Sequence, residues 1–253
     1  MSPRIYHIKE TLSTNTYIRN KANQDNESND LVVYSDIQSA GRGQRGNAWE
    51  SEPYRNLTFS ILIHPYFIPA DQQFIISQII SLAISEALSA YTDGIQIKWP
   101  NDIYWNDKKI CGILIENDLG EDCISRCIIG IGLNINQKEF VSDAPNPVSL
   151  NQITSREFVL EEILAQVIDS FFEKYEQLRD NPECRAEFQK AYHDSLYRSA
   201  GFYPYEDNEG VFRARIHQVS PTGFLTLEKE GSGLMKEYAF KEVRFLLHKT
   251  VRK

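Results

Sequence analysis

The sequence predicts an α+β protein: strands and helices mix through residue 198, and a small all-β module occupies 199–253. Three observations lead there. Short β-branched runs recur between two long helical patterns, and from Gly201 the texture changes to brief strands separated by glycine turns. The length of 253 residues also exceeds the ~100–200 residues usual for one domain, which admits a large domain with a small appendage.

Taken in order, Ile5–Ile8 reads as a strand, and Ser13-Thr14-Asn15 supplies short polar side chains for a helix start ahead of Tyr17–Ala22. Leu31–Ser35 is a buried strand, whereas Asp36 to Ser51 lacks apolar periodicity and reads as a long loop. Leu57–Ile63 is a strand, and Asp71 opens a helix to about Ala90. Between Gly94 and Trp99, Ile95, Ile97 and Trp99 share one face, so Lys98 projects from the other. Ile103–Trp105 and Lys109–Glu116 flank a tight turn at Asn106-Asp107, and Cys127–Asn136 adds another strand. Thr154-Ser155-Arg156-Glu157 matches a capping box before a helix whose apolar positions run from Leu160 to Leu178, and a further helix covers Pro182–Ser195. In the tail, Phe212–Val219, Phe224–Glu228, Leu234–Phe240 and Val243–Leu247 read as strands.

Composition narrows the class of function. Hydrophobic residues at 42% and charged residues at 25% are ordinary for a globular chain. The most apolar window, Phe74–Leu88, is broken by polar residues and falls short of the ~20 needed to span a bilayer. The first residues lack the apolar stretch of a secretory signal, so no membrane and a cytoplasmic location are the expectation. A net charge of −8 argues against DNA as a partner. Four cysteines, at 111, 123, 127 and 184, match neither a disulfide scaffold nor a zinc pattern, and no protein-caged metal is expected.

Three segments could carry chemistry. Gly41-Arg42-Gly43-Gln44-Arg45-Gly46 interleaves glycines with guanidinium groups in a stretch free of acids, a combination that lets backbone N–H groups and arginines approach a small anion. An ordinary surface loop has the same composition. Lys98-Trp99-Pro100-Asn101-Asp102 puts a lysine at a strand end, where it can stabilise charge on a carboxylate attacking a phosphate, or simply face solvent. Gly130-Ile131-Gly132-Leu133-Asn134 places small residues in a strand, as close approach by a ligand or backbone requires; a β-bulge accounts for it equally.

Together these segments resemble the biotin–protein ligase family over most of the chain. Ser13-Thr14-Asn15 is similar to its S-T-N motif, and Gly41 to Ser51 to its glycine- and arginine-rich loop ending in W-x-S. Lys98 to Asp102 resembles its K-W-P-N-D signature, Lys109 to Glu116 its K-x-x-G-I-L-x-E, and Gly130 to Asn136 its G-x-G-x-N-x-N. The resemblance implies a catalytic domain related to class II synthetases, a small SH3-like β-barrel behind it, and activation of biotin with ATP and Mg²⁺ to biotinyl-5′-adenylate. The biotinyl group then passes to a lysine of a biotin carboxyl carrier protein or domain. By motif position, Ser13, Thr14 and Gln38 would bond the biotin ureido ring, with Asn15 supporting them. Arg42, Gly43 and Gln44 would lie along the carboxylate and phosphate, and Lys98 would bridge the two, so that Lys98 and Arg42 are the catalytic candidates. Gly41, Arg45, Trp49, Asn101, Asp102, Lys109, Gly112, Gly130, Gly132 and Asn134 complete the expected biotin and adenylate site.

Two departures stand out: Gln44 replaces a common arginine, and Asn47 a frequent basic residue. In Asp143-Ala144-Pro145-Asn146-Pro147, which in the family lies near the nucleotide, there is no aromatic residue to stack on adenine. The motifs begin at Ser13, so the type without an N-terminal helix-turn-helix, as monomer or homodimer, is expected. Two rival readings are a lipoate or octanoyl ligase on the same fold and a non-catalytic biotin-binding protein.

Overall fold

A computed structural model describes residues 3–25, 27, 29–142 and 146–247. The elements are β1 (Arg4–Thr11), α1 (Thr14–Asp25), β2 (Leu31–Gln38), β3 (Leu57–Ile63), α2 (Phe74–Ser89), β4 (Ile95–Lys98), β5 (Asp102–Trp105), β6 (Lys108–Leu119) and β7 (Ile124–Leu133). They continue with α3 (Leu150–Thr154), α4 (Leu160–Asp180), α5 (Arg185–Asp194), β8 (Tyr203–Asp207), β9 (Gly210–Val219), β10 (Leu225–Lys229), β11 (Met235–Tyr238) and β12 (Arg244–Phe245).

β1 to β7 form one mixed sheet in the order β1-β2-β3-β7-β6-β5-β4, parallel only between β1 and β2. Strand alternation divides the core between its two faces. Val32, Phe59, Ile61, Ile63, Ile129 and Ile131 point toward α2 and α4, whose apolar stripes supply the main core. Leu31, Val33, Leu62 and Ile128 point the other way, under Ile18 and Ala22 of α1. The α1 face is therefore covered only in part. Beside α1, one row of paired residues crosses six strands: Lys98, Asp102, Gly112, Gly132, Thr58 and Ser35. The next row holds Leu114, Gly130 and Ser60. The glycines, serines and threonine of these two rows leave room above the sheet, and the site occupies that room.

β8 to β12 make a second, antiparallel five-stranded sheet in the order β11-β10-β9-β8-β12. It docks against the far edge of the first. The segment after α5 pairs with β4, where Ile97 N–H donates to the Ser195 carbonyl and Tyr197 N–H to the Ile97 carbonyl; Trp99 Nε1 donates to the Gly223 carbonyl at 2.9 Å, and buried Arg198 donates to the carbonyls of Pro204 and Leu246.

Several expectations need correction. The capping box belongs to Ser149 and Gln152 at the start of α3, not to Thr154–Glu157. Ser155 sits at φ 57, the left-handed C-cap of α3, and so cannot open the next helix, which begins after Val159 without a side-chain cap. β2 runs on through Asp36 to Gln38 because it pairs with β1, and the following loop holds a 3₁₀ turn at Gln44–Gly46. Asp71 lies in a separate 3₁₀ turn ahead of α2. β8 was not anticipated. No helix among the described residues is long and apolar enough to cross a membrane.

Candidate active site

A cavity of about 630 Å³ lies over the cleared face of the first sheet. The N-terminal turn of α1 forms one wall. Thr14 N–H donates to Gln38 Oε1 at 3.0 Å, and Thr14 Oγ1 lies 3.3 Å from the same oxygen. Buried Ser60 sits beneath, with its hydroxyl 2.6 Å from Asn15 Oδ1 and 2.8 Å from Thr14 Oγ1, while Asn15 Nδ2 donates to Glu116 at 2.8 Å. Ser13, Thr14 and Asn15 are all at most 5% exposed. Burial combined with mutual bonding fixes their rotamers.

The glycines of the sheet meet protein side chains here. A Cβ on Gly130 would stand 2.2 Å from Asn15 Oδ1, and one on Gly132 2.3 Å from the Trp49 indole; Gly112 faces the same ring at 2.8 Å. The register of β7 is regular through these glycines, so no bulge is present there. Close packing of Asn15 and Trp49 is what makes glycine necessary. Gly41 does not line the cavity; it lets the loop close, since its Cβ would lie 2.5 Å from the Trp49 carbonyl.

The loop wall is differently built. Backbone bonds join Gly43 to Asn47 at 2.6 Å and Trp49 to Gly41 at 2.9 Å. Glu50 anchors the loop's end by accepting the N–H groups of Val141 and Ser142 and the Gln137 amide. Trp49 Nε1, Gln44 Oε1 and Asn134 Oδ1 line this cavity and are buried with no hydrogen-bond partner from the protein, which leaves them free to bond a group that enters it. Arg42 reaches Glu116 at 3.3 Å and is otherwise half exposed. The side chain of Arg45 and residues 143–145 lie outside the described residues.

Lys98 decides between the two readings of its segment. It is partly buried rather than projecting into solvent, with Nζ 5.0 Å from the Tyr104 ring and 5.3 Å from the Phe245 ring of the second sheet. Burial lowers its pKa from the ordinary lysine value; Asp102 opposes the shift, and Lys109 and Arg198 add to it. Asp102 itself is bridged by Lys109 at 2.7 Å. The result is a partly shielded rim with more cations than carboxylates, suited to an anion.

Of the residues expected from sequence, Ser13, Thr14, Asn15, Gln38, Arg42, Gly43, Gln44, Trp49, Lys98, Asn101, Asp102, Lys109, Gly112, Gly130, Gly132 and Asn134 all line this cavity. Ser60, Glu116, Tyr104, Phe240 and Phe245 were missed. One signal for Ser60 was present: Thr58 and Ser60 interrupt an otherwise apolar strand at period two. Cys111 and Cys127 are buried, with their thiol pKa values pushed up by burial, as core residues.

Fold and cavity define an α+β ligand-binding domain whose glycine loop closes over a cleared sheet face. Residues 8–134 match the model of the biotin/lipoate A/B protein ligase family, and the chain belongs to that family. It is 31% identical over 180 residues to the bifunctional ligase/repressor BirA of Bacillus subtilis, covering 68% of this chain and 53% of that protein. It is 27% identical over 177 residues to the biotin–[acetyl-CoA-carboxylase] ligase of Mycobacterium tuberculosis, covering 64% and 63%. The chain spans about half the length of the BirA proteins it matches. Among solved structures, the biotin protein ligase of Aquifex aeolicus in complex with biotin and ATP superposes with a TM-score of 0.77 at 26% identity, covering 96% of this chain and 99% of that one.

Proposed function

We propose that this protein is an ATP-dependent biotin–protein ligase: it joins biotin to AMP and then transfers the biotinyl group to a lysine of a biotin carboxyl carrier protein or domain. The observation that carries the reading is the ammonium of Lys98, partly buried between the Tyr104 and Phe245 rings at the rim of a cavity whose opposite wall presents preset polar groups. The Aquifex protein, similar over nearly its whole length, holds biotin and ATP.

In the first step the biotin carboxylate attacks the ATP α-phosphorus and pyrophosphate leaves. Negative charge concentrates between the two groups, and a preorganised cation in a dry site lowers that barrier most effectively. Lys98 takes this role. Arg42 joins it by exchanging Glu116 for phosphate oxygens. Ser13, Thr14 and Gln38 hold the ureido ring, with Asn15 and Ser60 as positioning residues. Trp49 uses its unpartnered indole N–H on the bound ligand.

The residues present do not form a magnesium site. No cluster of three metal-ligating side chains exists among the described residues, and Asp102 and Glu116 are engaged by Lys109 and by Arg42 and Asn15. Mg²⁺ would arrive on the nucleotide, and no step here passes through it. A cytoplasmic location fits these substrates.

The test is incubation with ATP, Mg²⁺, biotin and a biotin-carrier domain, followed by intact mass. Addition of one biotinyl group is expected, and its absence with folded components overturns the reading. A thermal-shift panel separates the lipoate alternative: biotin should stabilise the protein more than lipoate or octanoate does.

A further inference from the structure

A second opening, a groove of about 280 Å³, runs beside the main cavity between the start of α2, β6 and the second sheet. Gln44, Asn101 and Phe240 line both, so the two spaces are contiguous. Their chemistry is opposite. The main cavity carries Arg42, Lys98, Asp102 and Lys109, whereas among the described residues no charged side chain lines the groove. Its walls are Phe74, Ile115, Phe224 and Phe240, and its polar atoms belong to amides and hydroxyls. Two side-chain carbonyl oxygens from its lining, Gln44 Oε1 and Asn117 Oδ1, are buried without a hydrogen-bond partner. The Trp99–Gly223 hydrogen bond pins the groove's outer lip, the turn at Ser220–Phe224, directly to the residue after Lys98.

We propose that this groove is the entry path of the acceptor lysine, and the proposal rests on the ligase reading above. An apolar trough ending in unpartnered acceptors matches a side chain with an aliphatic stem and a head of N–H donors. Among the described residues it offers a nucleotide no cation. The acceptor amine therefore has a route that does not cross the space held by the adenylate. On reaching the cation-rich cavity, the acceptor ammonium gives up a proton to water, because like charges disfavour its charged form. The neutral amine nitrogen bonds to the biotinyl carbonyl carbon. The bond from that carbon to the phosphate oxygen breaks, its electron pair leaves with AMP, and the second amine proton passes to water.

The experiment uses the full chain with Thr222→Trp, which places a bulky ring at the exposed lip, and Phe224→Ala, which removes one wall. Three rates are measured: biotin-dependent pyrophosphate release, transfer from preformed biotinyl adenylate to a carrier domain, and transfer to methylamine, which is small enough to need no groove. In Thr222→Trp, transfer to the carrier should fall at least tenfold while the other two rates stay within twofold. In Phe224→Ala, KM for the carrier should rise with pyrophosphate release unchanged. Undiminished carrier transfer in both variants, or a parallel loss of methylamine transfer, overturns the groove assignment. Absence of pyrophosphate release in the unsubstituted protein would instead overturn the ligase reading itself.

Discussion

The two walls of the main cavity are built to different standards. On the α1 wall, Thr14, Asn15, Gln38 and Ser60 satisfy one another, are held by a strand and a helix start, and are mostly buried. On the loop wall, Trp49 and Gln44 keep buried polar atoms without partners, and the backbone from 41 to 49 is joined to itself by few bonds. A satisfied network is rigid because every rearrangement breaks a bond in a poorly solvated place. An unsatisfied wall has less to lose and gains its missing bonds from whatever enters. The difference teaches that half of this site is complete before any ligand arrives, and that the other half is completed by the ligand.

The largest effect comes from the charge that serves both walls. Lys98→Ala should lower biotin-dependent pyrophosphate release by about 10²–10³-fold, the range for losing one preorganised charge stabiliser. Biotin binding by calorimetry should persist, because the α1 wall is untouched; its loss together with the rate would break the distinction drawn between the walls. Stability should move the other way. The folded-state pKa of Lys98 lies below that of an unfolded lysine, so its burial costs stability in full below the folded value. The cost fades as pH climbs toward 10.5, where the unfolded lysine titrates. Lys98→Met should thus raise the unfolding midpoint at pH 7, and the gain should shrink as pH approaches 10.5. A constant gain at every pH contradicts this account.

A matched pair sharpens the comparison next. Gly130→Ala drives a methyl group into Asn15, and Gly132→Ala drives one into Trp49, at nearly equal distances of 2.2 and 2.3 Å. Asn15 is locked by Ser60 and Glu116, so Gly130→Ala should cost about 1–3 kcal/mol of stability by overpacking, read from the urea midpoint. Trp49 belongs to the yielding wall, so Gly132→Ala should cost less stability while weakening biotin binding about tenfold as the ring is displaced. Equal losses of stability in the two variants would show that the walls are equally stiff.

Much of this was legible in the sequence, and the reasons it was not fully so are physical. Apolar periodicity located α2, α4 and the sheet strands, since burial of one face is a local pattern. Motif order located the site residues. The burial of Lys98 was invisible, because the rings that cover it come from Tyr104 and from Phe245 in the second sheet, far along the chain. The glycines at 112, 130 and 132 were readable as a need for space, but what fills the space comes from Asn15 and Trp49. The capping box at Ser149 was passed over for a match at Thr154, five residues on, because sequence does not show that Thr154 ends a helix and that Ser155 takes a left-handed backbone. The docking of the two sheets, and with it the side groove, depends on contacts such as Trp99 to Gly223 that no local pattern announces.

The smallest predicted effect falls where this sequence departs from its family's loop. Gln44 lines both the main cavity and the groove, and its Oε1 is buried without a partner. Arginine there would add a cation facing the adenylate phosphate from a partly open loop. Such a pair contributes about 0.2–1 kcal/mol, so biotinyl adenylate should leave Gln44→Arg a few-fold more slowly, as measured by chasing labelled adenylate with unlabelled biotin. The same guanidinium would add a charge to a path whose described lining is neutral and would repel an incoming ammonium. Transfer to the carrier should therefore slow by a similar factor, and the slowing should weaken at higher salt as screening increases. Slower release without slower transfer would place residue 44 on the adenylate side alone. No change in either rate would mean that the loop wall bends the new side chain away from both, a stronger form of the yielding that distinguishes it from the wall at Ser13–Asn15.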